Sequence, residues 1–167
     1  MTTSFSRHSG ERIKCSDNGS MYVVIFGVFF SIYAAIFIHD NYNISLTAIF
    51  YWIGILLMAG GIALRCFSIW MLKESFTLSV MTKTNQSLVR NGPYQYIRHP
   101  AYAGSILTLL GFAFVLRTLL APFAVLAICI CTYGYRIFIE EKSLLKHFGK
   151  QYQDYCKNTW RLIPKIW

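Results

Sequence analysis

The chain has 167 residues, of which 55% are hydrophobic, 17% aromatic and only 14% charged, with a formal net charge of +9. Soluble domains carry about 25% charged residues, so this composition points to an integral membrane protein. The positive charge flanks apolar runs and forms no interleaved basic stripe, which excludes a nucleic-acid reader.

Residues 21–38 carry no charge and are long enough to cross a bilayer. The run exceeds the ~7–15 residues of a signal-peptide core, and no small-x-small cleavage site follows, so a retained helix is expected. A polar link, His39 to Asn43, leads to a second uncharged run over 44–64, expected to continue as helix to Leu72. Gly54, Gly60 and Gly61 would let a neighbouring helix approach closely. Arg65 sits inside this helix or snorkels from its end. Residues 101–116 form a shorter third segment, Arg117-Thr118 a tight turn, and 119–139 a fourth segment with Pro122 near its start.

The predicted fold class is therefore all-α and polytopic, about four transmembrane helices in two hairpins plus a C-terminal amphipathic helix. Arg7, Arg12 and Lys14 precede the first span, while the first link has no Lys or Arg. Lys73, Lys83, Arg90 and Arg98 crowd the middle loop, and six cations follow the fourth span. With four spans, both termini and the middle loop face the cytoplasm. The expected units are a cytosolic tail over 1–20, a first transmembrane hairpin over 21–72, and a catalytic core over 73–167.

Residues 140–157 read as the amphipathic helix, with Leu144, Leu145, Phe148, Tyr152 and Tyr155 on one face. Trp160 to Pro164 reads as an aromatic, basic strap at the interface. The five cysteines form no CxxC pair and no zinc spacing, so they read as free thiols and no metal is expected.

Two polar blocks stand out against this apolar background. His99 precedes a proline, which places it at the start of the third helix. Helix N-termini favour anions, so Arg98 and His99 there suit a carboxylate or phosphate. Arg136 and Glu140 are four residues apart and share a helix face. They form either a local ion pair or a seat for ligand charges, Glu140 for an ammonium or ribose and Arg136 for a carboxylate. Glu141 points elsewhere and reads as solvated. No GxGxxG after a strand, P-loop, HExxH or GxSxG occurs. Any cofactor must therefore be held between membrane helices and the cytosolic loops.

Three motifs together resemble a known family. They are Gln86-Ser87-Leu88-Val89-Arg90-Asn91-Gly92-Pro93-Tyr94, then Arg98-His99-Pro100-Ala101-Tyr102-Ala103-Gly104, then Arg136-x-x-x-Glu140-Glu141 with its Leu144, Phe148-Gly149, Tyr152, Tyr155 and Arg161-Leu162-Ile163-Pro164 continuation. From about Gly61 to Pro164 the chain resembles the isoprenylcysteine carboxyl methyltransferase family in its short prokaryotic form. Related phospholipid methyltransferases share the second and third motifs.

The resemblance implies methyl transfer from S-adenosylmethionine to the carboxylate of a prenylated cysteine or a similar lipid-borne carboxylate. It also implies that Leu88, Val89, Tyr94, His99, Pro100, Ala101, Tyr102 and Glu140 contact the cofactor, and that Arg136 binds the substrate. Gln86 stands where the family usually has histidine; it can still hydrogen-bond and is counted with the expected cofactor-binding residues. On this basis Arg136 and His99 are the expected catalytic residues. The alternatives are a phospholipid N-methyltransferase, a small-thiol or prenoid methyltransferase, and a non-enzymatic membrane scaffold.

Overall fold

The structure, a computed structural model, describes residues 19–42, 45–72 and 88–167. It contains α1 (Ser20–Asn41), α2 (Ala48–Leu72), a single 3-10 turn over Gly92–Gln95, α3 (Pro100–Val115), α4 (Leu120–Phe148) and α5 (Lys150–Lys157). The N-terminal tail and most of the middle loop, Gln86 included, lie outside the described residues, as does Cys15. The other four cysteines are free.

Three helices, α1, α2 and α4, are long and apolar enough to cross a membrane. The predicted fourth span, α3, is apolar but has 16 residues, about 24 Å of helix against a ~30 Å hydrocarbon core. Its limits are local. Pro100 supplies a pre-set φ at the first helical position, and Arg117 turns the chain with φ 57 at the other end.

The helices pair differently from their order in the chain. α2 packs along α3 and α1 along α4, while α3 also touches α4 and α1. Among the described residues, α1 and α2 make no lengthwise contact, although they are consecutive. Glycine explains the closest pairing. A Cβ added to Gly61 or Gly104 would lie 2.6 Å from the carbonyl oxygen of the other, and one added to Gly54 or Gly111 would lie 2.7 or 2.6 Å from its counterpart's. The two backbones therefore meet where no larger residue fits. Gly54 and Gly61 are consumed by this internal contact, whereas Gly60 faces open space.

Ala35 of α1, Leu109 and Ala113 of α3, and Ala121, Val125, Cys129 and Tyr133 of α4 form the core. Large apolar side chains such as Phe26, Phe30, Trp52, Leu56, Phe123 and Phe138 point outward, as they do on a surface solvated by lipid. At one end of the bundle, Arg117 donates from both Nε and Nη2 to the Leu46 carbonyl at 3.0 and 2.9 Å, tying the two links together.

The amphipathic tail helix predicted over 140–157 is divided. α4 continues without a break through Phe148, and α5 begins only after Gly149. Gly149 has φ 52 and ψ −122, a conformation that side-chain-bearing residues avoid, so it redirects the chain. About 20 residues suffice to cross the hydrocarbon, and α4 has 29, so its length exceeds one crossing.

Candidate functional site

The site lies where the start of α3 meets the end of α4. His99 caps α3, and its carbonyl accepts the Tyr102 and Ala103 amides at 3.1 Å each. The ring of Tyr102, one turn on, stacks on the His99 imidazole with centroids 5.6 Å apart. On its other side Tyr102 meets Tyr133 of α4 at 5.5 Å.

Tyr102 joins the two charges predicted to share a face of α4. Its hydroxyl donates to Glu140 Oε2 at 2.7 Å and accepts from Arg136 Nε at 3.2 Å. Arg136 is only 5% exposed and also donates to the Ser20 hydroxyl at the start of α1. His99 Nδ1 lies 4.0 Å from Glu140 Oε2. The tertiary structure thus brings His99, Tyr102, Arg136 and Glu140 into one cluster, with Pro100 and Ala101 buried beneath as the first turn of α3.

Tyr94 approaches from the 3-10 turn. Its hydroxyl donates to the Ser68 carbonyl of α2 at 3.4 Å, and its own carbonyl accepts from the Tyr155 hydroxyl at 2.7 Å. Burial, then the nearby Glu140 charge, push the Tyr94 hydroxyl above its ordinary value. Burial likewise pushes Tyr155 up to about 12, so it remains a proton donor at neutral pH. Leu88 and Val89 are half-buried at the start of the described segment leading into this turn.

Glu141 corrects the sequence reading. It is not solvated: its side chain is 13% exposed. Oε1 accepts from Arg98 Nε at 2.9 Å, and Oε2 accepts from Arg161 Nε at 3.0 Å. Oε1 also lies 3.5 Å from His99 Nε2. Arg98, expected to face an anionic ligand, is instead committed to Glu141 and to the carbonyls of Cys156 and Thr159.

The C-terminal strap explains why. It runs parallel to 96–99, with the Arg98 amide donating to the Trp160 carbonyl at 2.7 Å and the His99 amide to the Arg161 carbonyl at 3.1 Å. Adjacent helix residues point about 100° apart. Glu140 therefore faces the start of α3, while Glu141 faces the strap. Sequence spacing assigned one carboxylate to the site and left the second without a partner. Arg161, the missing partner, was visible only as part of an interfacial strap.

Comparison with known proteins bears on what this cluster does. A family model described as phospholipid methyltransferase matches residues 49–151. The chain is 31% identical over 121 residues to a protein-S-isoprenylcysteine O-methyltransferase of Dictyostelium discoideum, covering 70% of this chain and 50% of that protein. It is 33% identical over 95 residues to the protein of the same name in Schizosaccharomyces pombe, covering 56% and 40%. The fold matches a solved structure of a eukaryotic intramembrane Ras methyltransferase, isoprenylcysteine carboxyl methyltransferase, with a TM-score of 0.71. The identity is 26%, over 86% of this chain and 52% of that one. The chain spans about half the length of these relatives. The apolar helices and this shared membrane fold make it an integral membrane protein.

Proposed function

We propose that this chain, which belongs to the phospholipid methyltransferase family, transfers a methyl group from S-adenosylmethionine to the carboxylate of a prenylated cysteine or a similar lipid-borne carboxylate. The observation that carries this reading is the buried Arg136 guanidinium, held beside Glu140 by the Tyr102 hydroxyl. A charge buried at a membrane boundary is costly and reads as functional by default.

The residues present suit the donor. The His99 imidazole is buried at the start of α3, with Nε2 3.5 Å from Glu141 Oε1 and Nδ1 4.0 Å from Glu140 Oε2. The Glu140 carboxylate is 29% exposed, open enough to accept from a ribose or an amino group. His99, Tyr102 and Glu140 would hold the polar parts, with Leu88, Val89 and Tyr94 walling one side and Pro100 and Ala101 the floor. Gln86 belongs to this set by resemblance alone.

Bound S-adenosylmethionine supplies an electrophilic methyl group. The acceptor carboxylate is already ionised at pH 7, so no general base is required. The protein's task is alignment and exclusion of water. Arg136 would orient the carboxylate through its planar fork, and Tyr102 would keep that fork facing the donor. The lipid tail would enter between helices from the bilayer. The bias of Lys and Arg toward the tails and the middle loop supports a cytoplasmic position for this end of the bundle and for both termini. Residues 73–167 would be the catalytic half, with α2 as its wall.

A second reading, methylation of a phospholipid amine, is favoured by the description of the matching family. An ammonium must lose a proton before it attacks, and His99 and Glu140, 4.0 Å apart, are the groups placed to accept it.

The deciding experiment offers a farnesylated cysteine analogue and phosphatidylethanolamine side by side to the detergent-purified protein with methyl-labelled S-adenosylmethionine. Base-labile label on the prenylcysteine is expected. Label in the phospholipid would move the enzyme to the amine reading. Cofactor binding without label in either would point to a small acceptor, and no cofactor binding would favour a scaffold.

A further inference from the structure

Arg65 is the one cation of α2 among the described residues, and it lies outside the three motifs that carry the resemblance. It stands seven residues before the helix end at Leu72, about 10 Å along the axis. A snorkelling side chain would point toward the headgroups. Arg65 turns into the bundle instead. Its Nη1 donates to the Ala101 carbonyl at 3.3 Å and to the Ser105 hydroxyl. Both partners are neutral, so among the described residues the Arg65 charge meets no counter-ion. An intramembrane cation held in this way is costly and reads as functional.

The route from Arg65 to the site is short. Gly104 makes it possible, since a Cβ there would lie 2.8 Å from the Arg65 nitrogen and 3.0 Å from its Cβ. Ser105 donates back to the Ala101 carbonyl at 3.0 Å, so Arg65 grips the first turn of α3 at two linked points. The Tyr133 ring of α4 lies against Tyr102. Tyr102 immediately follows Ala101 and carries the hydroxyl shared by Arg136 and Glu140.

We infer that Arg65 is a positioning residue: from α2, it fixes the first turn of α3 so that the Tyr102 hydroxyl stays between Arg136 and Glu140. This assigns the α2 wall a part in the reaction, and it rests on the methyltransferase reading above. Arg65 itself touches neither donor nor acceptor.

The test is a double-mutant cycle on the full chain in detergent, with Arg65→Met, Tyr102→Phe and the double variant, and Arg65→Lys as the conservative rescue. Labelled S-adenosylmethionine gives Kd, the farnesylated cysteine analogue gives kcat/KM, and thermal unfolding is followed in parallel. Arg65→Met is expected to lower kcat/KM about tenfold, the scale of one lost hydrogen bond. Arg65→Lys, which keeps a charged donor, should stay within about threefold of wild type. In the Tyr102→Phe background, Arg65→Met should add no further loss, because the hydroxyl it positions is gone. Losses that multiply independently, or a lower melting temperature with unchanged kcat/KM, would overturn the inference and leave the methyltransferase reading standing. Wild-type protein that binds no cofactor would overturn that reading and this inference with it.

Discussion

The two faces of α3 are built on opposite principles. Toward α2 it presents Gly104 and Gly111, and the backbones meet with almost no side chain between them. Toward α4 it presents Tyr102, and contact runs through rings, a hydroxyl and charges. Lipid offers no hydrophobic drive to bring helices together, so the first face holds by close packing. The second face holds by polar pairing, and those groups are the ones that can also meet a ligand. One helix thus serves as the joint between a close-packed wall and a polar surface.

The sharpest break is on the wall. Gly104→Val puts atoms into the Gly61 carbonyl and the Arg65 backbone, and should abolish recovery of folded, monodisperse protein in detergent. Gly60→Ala, one residue from the tightest contact but facing open space, should leave the yield and melting temperature unchanged.

On the active face, Glu140→Ala should abolish binding of labelled S-adenosylmethionine while the protein stays folded. Arg136→Ala should spare that binding and abolish transfer to a carboxylate. If both variants bind and turn over like wild type, the cluster is not the site.

Between these lies the strap. Arg161→Ala removes one of the two guanidinium partners of Glu141. With its side chain 41% exposed, the pair contributes at most about 1 kcal/mol. The expected result is faster proteolysis within 158–167 and a several-fold weaker Kd for the cofactor through the loosened His99. An unchanged Kd would make the strap a mere tether.

At Gly149 the expected effect is on stability alone. Alanine there meets no neighbour but must adopt φ 52, at a cost of about 1–2 kcal/mol. Thermal unfolding should show a drop of a few degrees, with the activity of the folded fraction kept.

Much of this arrangement was legible in the chain. The long apolar runs announced α1, α2 and α4, and His99-Pro100 announced the start of α3, because proline sterics act locally. The four-residue spacing of Arg136 and Glu140 gave a shared face, and both reach the same hydroxyl. The tail was misjudged over 140–157, since amphipathic periodicity runs through Gly149 as if the helix were continuous. Only the backbone conformation shows that the chain turns there.

Sequence by itself determined which segments are helical, that they suit a bilayer, and which polar residues stand apart from it, because length, hydropathy and proline geometry are local properties. The tertiary structure decided what met what: α2 against α3 rather than α1, Arg98 and Arg161 on Glu141, and Tyr102 between Arg136 and Glu140. Apolar helices are nearly alike to lipid on every side. Their partners are therefore chosen by the few glycines, hydroxyls and charges that fit one neighbour, and that fit exists only in three dimensions.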